Sequence, residues 1–184
     1  MQDALDNDHA LTSRKAQELT AYWHKLAKAA GGIPPRSAFD PIAIPSALPS
    51  VFLIERLDAD TYRFRLLGTD FAERGVSDLT GALIKRSEVN TDRTPIFSVL
   101  DRVLNAPCGL HILGVEQSEK GRQSLVEYVA LPLTDEEGAY RFVVGSGSPL
   151  ATLGYDDEAT GYGPLIEVRD LREIPLSISE QGAA

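Results

Sequence analysis

The chain has 184 residues, a length that suits one domain with extensions and leaves little room for two. Its formal net charge of −9, with no clustered Lys or Arg, argues against nucleic-acid partners, which are held through basic patches. A hydrophobic content of 43% implies a folded core, and the single Cys108 excludes both an internal disulfide framework and a Cys-rich metal site.

Met1 to Asp8 is acidic and polar, unlike a signal peptide, and no apolar run approaches the ~20 residues of a membrane span. A soluble cytoplasmic protein without membrane insertion is expected. Ser13 to about Ala30 predicts a helix, with Thr12 or Ser13 as cap and Gly31-Gly32 as terminator. Leu19, Trp23, Leu26 and Ala30 form one apolar stripe along it. Pro41, Pro45 and Pro49 then forbid a long helix and predict a rigid, turn-rich connector.

Val51 to Leu57 and Thr61 to Leu67 predict a hairpin of two strands about Asp58-Ala59-Asp60. Gly68-Thr69 breaks the alternation, Asp70 to Arg74 predicts one or two helical turns before Gly75, and Asp78-Leu79-Thr80-Gly81 predicts a turn. Thr94-Pro95 is a helix start, and Ile96 to Leu104 presents a broad apolar face. Three strands follow, at about 109–117, 124–133 and 140–147, with turns at Lys120-Gly121 and at Asp135 to Gly138. Residues 154–163 predict a linker, and 165–176 is ambiguous between strand and helix, with strand preferred.

This order, and a set of short motifs within it, resembles the PAS family, in particular a bacterial PAS subfamily. The motifs are Tyr22-Trp23, Ile33-Pro34-Pro35-Arg36, Asp40-Pro41, Ile44-Pro45, Leu48-Pro49, Phe52-Leu53, Arg63-Phe64-Arg65-Leu66 with Gly68-Thr69, Asp78-Leu79-Thr80-Gly81, and Leu131-Pro132-Leu133. The resemblance spans about residues 18–148. It implies an α+β fold, a five-stranded antiparallel sheet with helices over one face, and a small-molecule cavity between them. Residues 1–17 would then be an N-terminal extension, 18–150 the domain with its leading helix, and 151–184 a linker and tail.

PAS modules differ in what they hold. The flavin-photosensor pattern Asn-Cys-Arg-Phe-Leu-Gln is absent, since Cys108 stands in Asn105-Ala106-Pro107-Cys108-Gly109-Leu110-His111. Haem needs an axial ligand, and of His9, His24 and His111 only His111 is placed for a pocket. Neither haem nor flavin is expected, and the ligand is unknown. The candidate lining is Tyr62, Phe64, Leu66, Phe71, Leu79, Phe97, Leu100, Val103, His111, Tyr128, Phe142 and Val144, with plain core packing as the alternative for each.

No catalytic set emerges. No Gly-x-Ser-x-Gly elbow occurs, Gly145-Ser146-Gly147-Ser148 fails as a dinucleotide loop, and Glu116 and Glu127 read as solvated cross-strand carboxylates or as partners for Arg122 and Arg141. The expectation is therefore a stand-alone sensory module, not an enzyme, that signals through an unidentified protein partner; the alternative is a ligand-free scaffold acting only by protein contacts. A homodimer is expected through Leu19, Trp23 and Leu26, or else the first helix folds back onto its own sheet.

Overall fold

Ser13 holds an extended backbone and its hydroxyl accepts the Ala16 amide, so helix α1 runs Arg14–Ala30 in the computed structural model. It stops at Gly31, whose φ of 69° is the left-handed conformation that glycine adopts without a Cβ penalty. The structure describes residues 11–74, 79–89, 95–118, 121–153 and 163–176. His9, the predicted turn residues Gly75, Asp78 and Lys120, the Thr94 cap and the linker over 154–162 lie outside them.

The proline connector folds into 3-10 turns at Arg36–Ala38, Pro41–Ala43 and Leu48–Ser50, the second capped by the Asp40 carboxylate on the Ile42 amide. It delivers the chain to β1 (Val51–Arg56) and β2 (Thr61–Leu67). Helix α2 (Thr69–Glu73), β3 (Leu83–Lys85) and α3 (Ile96–Asn105) follow, then β4 (Gly109–Gln117), β5 (Gln123–Thr134), β6 (Tyr140–Leu153) and β7 (Leu165–Ile174). The strands form one antiparallel sheet in the order β3-β2-β1-β6-β5-β4-β7.

The fold class is the α+β one expected, but the described residues hold seven strands where five were expected. β3 has only three residues, too few for a periodic pattern. β7 forms where a strand was preferred, yet it belongs to the sheet and not to a tail, because it pairs with β4 over its whole length. β6 runs past the expected end at Gly147 and includes Pro149. The ladder is interrupted there, with Val126 opposite Pro149 and Leu125 opposite Ala151, so the missing proline donor falls at an irregularity.

At the Gly68-Thr69 break, a Cβ on Gly68 would lie 2.1 Å from the Pro49 carbonyl oxygen. Only glycine fits where the end of β2 passes the proline connector, and α2 begins at once.

Helices cover both faces of the sheet. α1 lays Ala16, Leu19, Trp23 and Ala27 on Val129, Leu131, Leu133 and Val144. The Trp23 indole donates to the Pro132 carbonyl at 2.9 Å and is fully buried. The interface expected at Leu19, Trp23 and Leu26 is thus corrected: Leu19 and Trp23 are covered within one chain, and Leu26 is half-buried against the same core. The stripe needed a partner surface, and its own sheet supplies one.

Candidate ligand cavity

The other face of the sheet, with α2 and α3 over it, bounds a partly open cavity of about 470 Å³. Its floor is Phe52 and Ile54 of β1, Phe64 of β2, Ile112 of β4, and Tyr128 and Ala130 of β5. Its cover is Phe71, Leu79, Val89, Ile96, Val99 and Leu100, with Ile84 of the edge strand β3, Leu67, Pro164 and Leu165 completing the wall.

Two glycines of β6 make this floor possible. A Cβ on Gly145 would lie 2.2 Å from the Phe52 ring, and one on Gly147 would lie 2.4 Å from the Tyr128 ring. The aromatic rings therefore lie across the bare backbone of β6, edge-on to each other at 6.3 Å, and Phe52 meets Phe71 at 6.5 Å. The Gly145-Ser146-Gly147 run that resembled a failed nucleotide loop is a seat for rings.

Only Glu88 and Tyr128 bring polar side chains to the described lining. Glu88 is largely exposed and pairs with Lys85 at 2.9 Å. The Tyr128 hydroxyl donates to Glu116, a carboxylate 1% exposed, which also holds the Arg74 guanidinium at 3.0 Å. Burial pushes the Glu116 carboxyl pKa up, while Arg74 and the Tyr128 hydroxyl oppose the rise. Arg74 in turn lies 5.1 Å over the Phe71 ring, so α2 is anchored to the sheet by charge and by aromatic contact.

Glu127 points to the opposite face, under the start of α1. It is fully buried and accepts the Thr12 and Ser13 amides at 2.7 Å each and His111 Nε2 at 2.8 Å. Burial alone would raise its pKa, but these three hydrogen bonds outweigh burial and hold it below the ordinary carboxylate range. The two carboxylates, read as solvated or as arginine partners, are thus both buried, one on each face, Glu116 on Arg74 and Glu127 on His111, and neither can act on the other.

Of the residues expected to line a pocket, Phe64, Phe71, Leu79, Leu100 and Tyr128 line this cavity. Tyr62 and Val103 lie in the packed part of the same layer, and Tyr62 donates to Asp101 at 2.7 Å. Phe97 packs against Tyr62 at 5.6 Å beneath the Arg86 guanidinium. Leu66, Phe142 and Val144 pack on the α1 side, where His111 bonds Glu127.

Leu66 changes sides because β2 carries a bulge. Leu53 pairs with Leu66 and Ile54 with Phe64, which leaves Arg65 unpaired and reverses the alternation. Phe142 and Val144 do share a face, but on a sheet covered on both sides alternation does not tell which face holds the space. Ile112 and Ala130 were missed for the same reason, and Phe52 and Ile54 because β1 is apolar on both faces.

His111 lies across the sheet from the cavity, and no other histidine, cysteine or methionine is among the described lining residues. The described lining therefore offers a haem no His, Cys or Met as axial ligand, and its one tyrosine, Tyr128, has its hydroxyl on Glu116. Cys108 is outside the lining, and burial raises its thiol pKa, away from the thiolate a nucleophile needs.

The sequence profile of the PAS domain matches residues 11–147. The chain belongs to the PAS domain family. Among solved structures, it is similar to the photo-excited blue-light photoreceptor Vivid at 13% identity and a TM-score of 0.44, over 76% of this chain and 99% of that one. It is similar at the same identity and TM-score to a cysteine-to-serine mutant of Vivid, over 71% and 98% of the two chains. No curated protein matches the sequence.

Proposed function

We propose that this PAS domain is a sensory module whose cavity takes a small, predominantly apolar and uncharged molecule, and whose occupancy alters its contacts with a signalling protein. The observation that carries the reading is a space of about 470 Å³ with two polar side chains in its described lining. That volume is in the range of small-molecule sites, which run roughly 300–1,000 Å³. A charged ligand group placed there would lose its hydration with little to replace it, because the Tyr128 hydroxyl already donates to Glu116 and Glu88 pairs with Lys85 in solvent. Catalysis is no part of the reading, since Glu116 and Glu127 each hold a structural role on opposite faces.

Nile red, a neutral apolar dye, tests it. Wild-type protein should bind the dye with a blue-shifted, enhanced emission that neutral apolar competitors abolish. The Ala130→Phe variant, which sets a ring on the cavity floor, should fold and fail to bind. Equal binding by both proteins, or none by wild type, would refute the reading.

A further inference from the structure

β7 is the outermost strand beyond β4, and among the described residues nothing pairs with its outer edge. None of its ten residues is fully buried. Such an edge presents a row of unsatisfied backbone donors and acceptors that a further strand can complete.

The strand is complementary to itself when run antiparallel. About a two-fold axis between Arg169 and Asp170, Arg169 meets Asp170 of the second copy, Val168 meets Leu171, and Glu167 meets Arg172. In a regular strand this register would fail, because residues an odd number apart point to opposite faces. The bulge against β4 removes the obstacle. Leu113 pairs with Asp170 and Gly114 with Val168, so Arg169 is an inserted residue. Val168 and Leu171, opposite Gly114 and Ile112, therefore share the cavity-side face; Glu167 and Arg172, opposite Val115 and His111, share the other.

The side-chain contacts agree with this. Arg169 Nε lies 3.4 Å from Glu167 Oε1, and Arg172 Nε lies 2.6 Å from Asp170 Oδ2. The four charges form one row on one face, each a third to a half exposed and able to exchange a neighbour on its own strand for one across the axis.

We propose that the chain forms a two-fold dimer by pairing β7 with β7 of a second copy, continuing the sheet from one subunit into the other. Four cross-strand ion pairs and two Val168–Leu171 contacts accompany the backbone ladder. The occupant is a second copy because the order of charges, acid-base-acid-base about the axis, is met by the same strand reversed. This surface is separate from α1, and it does not depend on what the cavity holds.

Sedimentation equilibrium of the full chain in low salt tests the proposal. Wild type should show a monomer–dimer equilibrium at about 200 µM, as expected of a small interface, and should weaken with added salt. Arg172→Glu places like charges at two symmetric contacts and should weaken the dimer about ten-fold, and Glu167→Arg should do the same. The double variant Glu167→Arg/Arg172→Glu restores opposite charges across the axis and should return dimerisation to within about three-fold of wild type. Circular dichroism checks the fold, and if Arg172→Glu does not fold, the more exposed Glu167→Arg carries the same expectation. A monomeric wild type, single variants that dimerise like wild type, or a double variant that does not recover would each overturn the proposal.

Discussion

Replacing Glu127 with Gln removes one charge and almost no volume from the point where α1 meets the sheet. The carboxylate is fully buried and receives three donors, the Thr12 and Ser13 amides and His111 Nε2. Glutamine keeps one acceptor oxygen and turns an NH₂ group towards at least one donor. Hydrogen bonds to a charged group contribute about 1.5–3 kcal/mol each. Relief of the buried charge offsets part of the loss, so the expected destabilisation is about 2–4 kcal/mol. Equilibrium urea unfolding at neutral pH measures it, and amide exchange at the start of α1 should rise together with the loss. The pH profile is the sharper test. The folded pKa of Glu127 is held below its ordinary value, so its contribution is complete above that value and disappears as pH falls through the folded pKa. Wild type should therefore lose more stability than Glu127→Gln on acidification below about pH 4.5, and the two curves should converge. A loss under about 1 kcal/mol, or parallel curves, would refute the assignment of Glu127 as the anchor of α1.

Trp23→Ala should cost about 3–5 kcal/mol through the cavity it leaves under α1, with light scattering showing the same subunit number as wild type; a changed subunit number would show that α1 is an interface. Arg74→Ala strands the Glu116 carboxylate in the interior and should cost about 3–5 kcal/mol by urea unfolding, whereas an exposed pair would lose less than about 1. Leu100→Phe adds volume beside the cavity, so its melting temperature should stay level or rise; a loss of the about 1–3 kcal/mol typical of overpacking would mean that the space is already filled.

The parts of the fold legible in the sequence were those set by local chemistry. Ser13 and Gly31 bound α1, the prolines break the connector into short turns, and the Asp58-Ala59-Asp60 turn joins β1 to β2. The sidedness of the strands was less legible. One inserted residue, Arg65, moves Leu66 to the α1 face, and no property of Arg63-Phe64-Arg65-Leu66 announces it. Glu116 and Glu127 looked solvated because a carboxylate on a strand ordinarily is. Their burial depends on Arg74, His111 and the Thr12 and Ser13 amides, which arrive from 42, 16 and more than 100 residues away. The destination of the Leu19 and Trp23 stripe was open for the same reason, since a helix pattern says that a face must be covered but not by what.

The central claim is that the space between the sheet and its α2–α3 cover is a binding site, and native mass spectrometry of protein purified under non-denaturing conditions tests it most directly. Wild type, exposed to a cell extract and repurified, should carry an added mass of one small molecule per chain that extracts into organic solvent, and Ala130→Phe should carry none. A wild type that remains at its bare polypeptide mass, or an adduct retained equally by Ala130→Phe, would contradict the account.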